Sequence, residues 1–432
     1  MLAGSSIRVV PIIFKVCYFG KMILASRRLY IGLLVLCLGV GLTSYTHATP
    51  VVMDSQLSAG MSATIVPPVA HFVINGGDTA VASIAGNSFP TRALTAFFWD
   101  VPVSRYLMVF NHEFFGHGAR FREFGHRDVF VFVDRPFPYS GNSPDQYSGF
   151  ASGTPTRELT PVESSLIHSS GMAANLHLGK TIVDTAYVNG KLRYSDTLMA
   201  LLSFSDPIFY TLMKIGDENG DPSRYVQSIN STFGRYDLAG KFVDGEDIVF
   251  TETTYQQAGE AELKTAQTMA FFSPSYLVLF YGALNSIITG DTVALPTFGE
   301  WEAFPDFHPF LSPFGLGYEF TLNLRRSEQF RFGINSNSVS RFQEFGYRSL
   351  VTVPSPWPGM KWGWDWDIWR QPSISDPSGS PARIGGLLRL KTQHRNEWLG
   401  QDVVVNVGVK TPGFRDPFPL DGAYFFELGI NY

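Results

Sequence analysis

The residues best equipped for chemistry in this chain are His112, Glu113 and His117, set close together in the string HEFFGH. A neutral imidazole is a nitrogen donor to a transition metal, and a carboxylate beside it can act as general base. The string lies inside an apolar helical pattern, DVPVSRYLMVFNHEFFGHGARFREFGH, from Asp100 to His126. Pro102 suits a first helical turn, and Val103, Tyr106, Leu107, Phe110, Phe114 and Phe121 recur at the three- and four-residue steps of one buried face. Gly125 ends the pattern. At roughly 100° per residue, Glu113 and His117 stand about 40° apart, whereas His112 is roughly 140° from His117. An ideal helix therefore keeps the two imidazoles from sharing one ion. A single π-turn between Phe114 and Gly116 brings them to the same side, and such turns occur mostly at functional sites. Gly116 and Gly118 lower the cost of that distortion. A buried carboxylate on an aromatic face is unfavourable unless a cation or a donor meets it, and a metal ion would do so. The plainer alternative is a buried Glu113–His117 pair, one helical turn apart, with His112 in solvent.

HEFFGH resembles the H-E-x-x-H signature of zinc peptidases with one residue added. The longer string HEFFGHGARFREFG is most similar to membrane-embedded site-2-type proteases, in its His-Glu, Gly-His, Ala-Arg and Phe-Gly elements, over about fourteen residues of the 432. That resemblance implies zinc held by His112 and His117, Glu113 as the catalytic base, and a peptide or protein substrate. A catalytic zinc takes three protein ligands and keeps one position open. Residues 157–216 read as apolar helices broken at Asp206-Pro207, and the third ligand is sought there. His168 and His177 are the nitrogen donors, Asp184 and Asp206 the carboxylates. Gly171, Ala173 and Ala174 would let this helix approach the first closely, which favours His168; a core histidine is the competing reading for either one.

Net charge is −5, and no run of lysine and arginine stands outside the first residues, so nucleic acid is not an expected partner. Residues 1–48 read as a leader: Arg27 and Arg28 precede the apolar run Leu29–Leu42, and Thr46-His47-Ala48 resembles a signal-peptidase site. Met22 could be the true start, and an uncleaved anchor is the alternative. Both cysteines, Cys17 and Cys37, lie in that leader, so an exported chain would carry no disulfide. HFVING and AVASIAG, before residue 96, look like short strands. VFVFV at Val129–Val133 is a buried strand, followed by a Pro, Ser and Gly-rich loop, Arg135–Thr156, that could be a lid. Asp217, Asn219 and Asp221 resemble the first half of a calcium loop, but Pro222 and Ser228 stand where its glycine and glutamate belong. Asp221 is better placed as a helix N-cap. Residues 265–289 are the longest apolar stretch after the leader, readable as a span or as a buried helix. Pro296–Gly315 reads as a linker.

Beyond it the period becomes two. Tyr318, Phe320, Leu322 and Leu324 share a face, as do Phe330, Phe332 and Ile334, and Val403, Val405, Val407 and Val409. Trp362, Trp364 and Trp366 alternate with Asp365 and Asp367, which suits an aromatic girdle at a lipid interface. AYFFELGINY, ending on Tyr432, resembles the closing strand of bacterial outer-membrane β-barrels. The expectation is thus an exported α+β protein: a leader at 1–48, a mainly helical metal-binding domain at 49–305, and an antiparallel β domain at 306–432, a small barrel. Its function is zinc-dependent hydrolysis at the bacterial outer membrane, with periplasm or an inner-membrane anchor as other locations. The alternatives are a non-enzymatic barrel with a helical plug, and a lipid hydrolase or acyltransferase.

Overall fold

The computed structural model describes residues 51–54, 57–136, 138–139, 148–234, 252–335, 342–354, 356, 359–377, 381–396 and 401–431. The expected leader and Tyr432 lie outside these, as do parts of the segments at 135–156 and 231–257. Of the described residues, 48% are helical and 29% lie in antiparallel strands, so the class is α+β.

β1 (Val51–Met53) leads into α1 (Ala59–Ala85). HFVING and AVASIAG lie in α1, apart from the final glycine, Gly86, which caps the helix, and are not strands. Their β-branched residues are outweighed by a helical spacing of buried positions, Ala59, Met61, Val66, Ala70 and Ile74, and by Ser58, whose hydroxyl accepts from Gly60 N at the first turn. Next come α2 (Phe89–Thr95), a π-turn at Ala96–Asp100, α3 (Val101–Phe110), a second π-turn at Asn111–His117, and α4 (Gly118–Glu123). β2 (Arg127–Val133) pairs with β3 (Gly149–Thr154), so the loop expected at 135–156 contains a strand of its own. α5 (Pro161–Asn189) starts at a Thr160–Glu163 capping box. α6 (Tyr194–Lys214) runs through Asp206-Pro207 without breaking, because packing on α5 outweighs the roughly 3 kcal/mol an internal proline costs. α7 (Asp221–Thr232) and α8 (Glu252–Met269) follow. A 3₁₀ turn at Ala270–Phe272 then separates α8 from α9 (Pro274–Thr289). The apolar stretch 265–289 is thereby divided, with a 55° bend between the halves, and no single described helix is long and apolar enough to cross a membrane.

The strands are β4 (Phe304–Ser312), β5 (Gly315–Leu324), β6 (Glu328–Asn335), β7 (Gln343–Ser349), β8 (Val353–Pro354), β9 (Met360–Gln371), β10 (Arg383–Asn396), β11 (Gln401–Lys410) and β12 (Ala423–Asn431). Their order in the sheet is β1-β12-β11-β10-β9-β7-β6-β5-β4, with β8 beside β9. β4 occupies the segment that reads as a linker. Pro305 and Pro309, four apart and so of one parity, remove donors from one side of it; on an edge strand that is the unpaired side.

The sheet is inverted in polarity. Phe320, Phe332, Phe345, Trp364, Ile368, Leu388 and Phe426 are exposed on one face. Glu319, Glu344, Asp365 and Asp367 are buried on the other, where the helices lie. Two apolar cores cross the expected 305/306 boundary: Val162, Leu166 and Ile167 pack with Phe314, Phe342 and Phe414, and Tyr225 and Ile229 with Leu311 and Leu316. Helices and sheet share one compact unit, residues 47–431.

Candidate metal centre

The π-turn required by the five-residue step is present at Asn111–His117. Its signature is the Gly118 N–H, which donates to Glu113 O five residues back. His112 and His117 consequently lie with ring centroids 5.0 Å apart, both buried. Gly116 has a further reason to be glycine. A Cβ there would stand 2.6 Å from Gly171 Cα, so the π-turn and α5 touch backbone to backbone. A Cβ on Gly171 would in turn fall 2.2 Å from the His112 ring. The close approach expected from the small residues of α5 rests on this pair.

Each imidazole has its Nδ1 engaged. His112 Nδ1 is 2.8 Å from Asp206 Oδ2, and His117 Nδ1 donates to the Ile167 carbonyl at 2.7 Å. With that side occupied by the N–H, the Nε2 lone pairs face inward, which is how metal-binding histidines are usually oriented. Opposite them stands Asp221, the first residue of α7, with Oδ2 3.2 Å from His117 Nε2. Ligand atoms of His112, His117 and Asp221 all lie within 4.8 Å of one another. Two ligands of a tetrahedral zinc stand about 3.4 Å apart, a spacing the His117–Asp221 distance already meets. This buried group could hold a metal ion.

The sequence-derived donors distribute as follows. His168 is not in the group; its Nδ1 lies 3.2 Å from Asp221 Oδ1, so it steadies the third donor from behind. Tyr210 donates its hydroxyl to Asp221 Oδ2 at 3.0 Å. Asp206 orients His112. It is held in turn by Asn175 Nδ2 at 2.8 Å, while Asn111 Nδ2 donates to Asn175 Oδ1 at 2.6 Å and Ser62 donates to Asn111 Oδ1. Asp184 pairs with Arg348 under the sheet, and His177 lies near the same arginine, so neither reaches the site. Sequence reasoning missed Asp221, Asn111 and Asn175. Asn111 had a signal, being a polar residue on the buried stripe immediately before His112.

Glu113 is buried, and its carboxylate receives no hydrogen bond from a described residue. Gly149 of β3 roofs it: a Cβ there would come within 3.0 Å of Glu113 Cγ. Burial raises the affinity of Glu113 for a proton, and the neighbouring His112 and His117 only partly offset this. Burial disfavours charge on both histidines, yet Asp206 lifts His112 to about 9 and Asp221 lifts His117 above its usual value. Asp221 is held well below the carboxylate range despite its burial, chiefly by His117. Three carboxylates thus make the pocket favourable for positive charge. No known family, curated protein or solved structure matches this chain.

Proposed function

We propose that this chain is a zinc-dependent hydrolase of peptide bonds, exported and seated in the bacterial outer membrane. The observation that carries the reading is the pairing of two Nδ1-anchored imidazoles and Asp221 with an adjacent carboxylate that no described residue hydrogen-bonds. His112, His117 and Asp221 would hold zinc, with Asp206, His168 and Tyr210 fixing their orientation. Bound there, zinc supplies Lewis acidity toward water and the scissile carbonyl. Glu113 is the proton carrier: it accepts the proton of the attacking water and returns it to the leaving amine. Its burial suits that role, since a desolvated carboxylate takes a proton more readily than a solvated one. The peptide substrate follows from the likeness of HEFFGHGARFREFG to site-2-type proteases. The outer-membrane location is supported by the apolar outer and charged inner faces of the strands, and in this reading they form the strand part of a small barrel.

A second reading, a non-enzymatic barrel with a helical plug, is favoured by the ion pairs of Lys180 and Asp184 on α5 with Glu319 and Arg348 on the sheet. One comparison separates the two. Wild type and Glu113→Gln are assayed for metal and for cleavage of a fluorogenic peptide library. Zinc in both with cleavage only by wild type is the expected result. A folded wild type with neither metal nor cleavage leaves the plug.

A further inference from the structure

We infer that the lipid-facing wall of this molecule is a hybrid, in which nine strands are closed into a ring by α1, α2 and α9, with the bilayer as the partner of strands and helices alike. The inference rests on the outer-membrane seat proposed above and extends it to the helices.

Among the described residues the sheet has two edges, β1 and β4, that do not pair with each other. In hydrocarbon an open edge leaves backbone donors and acceptors without partners, at several kcal/mol each, so spanning sheets close on themselves. Here helices stand in the gap. β1 packs on α1, α1 on α2, α2 on α9, and α9 on β4. Specific bonds fasten these contacts. Arg92 of α2 donates Nε to Ile287 O at 2.9 Å and Nη2 to Ile288 O at 2.5 Å, occupying carbonyls at the end of α9. Ser275 N at the other end of α9 donates to Asp306 Oδ1 of β4 at 3.3 Å. An α-helix satisfies its own backbone, so a helical segment can complete a wall that a lone strand edge cannot.

The apolar surface follows the ring. On α9, Leu277, Phe280, Leu284 and Ile288 recur at helical spacing and are each at least 45% exposed. Leu94 of α2 is 59% exposed, and Trp99, in the π-turn after it, donates Nε1 to Val73 O of α1. On the strand side the exposed band includes Leu388 and Phe426. A second copy of the chain would cover one side of the molecule; a band shared by both sides calls for a surrounding phase. The dimensions agree. The 16 residues of α9 rise about 24 Å, against an outward apolar band about 25 Å tall in outer-membrane barrels. At 16 residues α9 alone is shorter than the roughly 17 that a membrane-spanning helix needs; together with the helix before it, it forms a bent pair with the length and composition of a span.

The test uses single-cysteine variants of the full chain, in a background carrying Cys17→Ser and Cys37→Ser, labelled with a nitroxide and reconstituted in phosphatidylethanolamine–phosphatidylglycerol vesicles. Phe280→Cys and Leu94→Cys probe the helices, Leu388→Cys and Phe426→Cys the strands, and Glu218→Cys the aqueous side. The hybrid wall predicts that helix and strand labels alike collide at least several-fold more with oxygen than with a water-soluble nickel chelate, with the reverse at 218. Nickel-accessible helix labels beside oxygen-accessible strand labels overturn the hybrid wall and leave the outer-membrane seat standing. Nickel access at every position overturns both. Helix labels shielded from both reagents overturn the inference in favour of a second copy or another protein.

Discussion

α5 carries two polar stripes that differ in kind. Gly171 and Lys180, nine residues apart, stand about 180° apart on the helix and mark its two sides. On one side His168 meets Asp221 of α7 and Asn175 meets Asn111 of the π-turn; on the other Lys180 and Asp184 meet the sheet. Under the sheet the charges are matched by lysine and arginine. Asp367 is met by Arg331 at 2.6 Å and Arg415 at 3.1 Å, and Asp365 by Lys391 at 2.7 Å and by Arg389. In the π-turn site the partners of Asp206 and Asp221 are imidazoles, the Asn175 amide and the Tyr210 hydroxyl, and no lysine or arginine pairs with Glu113, Asp206 or Asp221 among the described residues. A matched cluster is complete and holds a fold together. A cluster with an excess of carboxylates still wants a cation, and that is where chemistry is expected.

Breaking each cluster should have a different readout. The largest effect belongs to Glu113→Gln, which keeps the shape and removes the proton acceptor: turnover on a cleaved peptide should fall about 10²–10⁴-fold with zinc retained. Loss of zinc together with activity would make Glu113 a ligand instead. Asp365→Ala leaves Arg389 and Lys391 facing each other without their acid and should cost about 3–5 kcal/mol in urea unfolding in detergent, with the zinc content of the folded fraction unchanged. A variant that lost zinc at full stability would move the site to the sheet. Gly171→Ala sharpens the contrast from the packing side. Its methyl group must displace the His112 ring, so zinc should be lost for a stability cost of only about 1–3 kcal/mol. The smallest change is expected of Asp206→Asn, which spares the ligands but alters their support; zinc affinity measured by competition with a chelator should weaken about 10–100-fold. An unchanged affinity would reduce Asp206 to a packing residue.

What was legible in the sequence followed rules of local geometry. The step from His112 to His117 keeps both imidazoles from one ion in an α-helix and allows it with a π-turn, so the distortion was an expectation tied to metal binding before it was seen. The alternation of Trp362, Trp364 and Trp366 with Asp365 and Asp367 gave both faces of β9, and the structure keeps the tryptophans outward and the aspartates inward. What was illegible depended on distant partners. Asp221 resembles a cap because it precedes Pro222, yet Gly220 holds the N-cap position and the Asp221 side chain turns to His117. Only the fold brings α7 to the π-turn. β1 has three residues and takes its meaning from β12, far away in sequence. β4 was hidden by prolines that an edge strand tolerates.

The central claim is that His112, His117 and Asp221 form a zinc site, and metal analysis of the purified full chain tests it most directly. Wild type should carry about one zinc per chain, and His117→Ala should carry none while its β-sheet signal in circular dichroism stays that of wild type. A fully folded wild type that binds no zinc when dialysed against it, or a His117→Ala protein that retains one equivalent, would contradict the account.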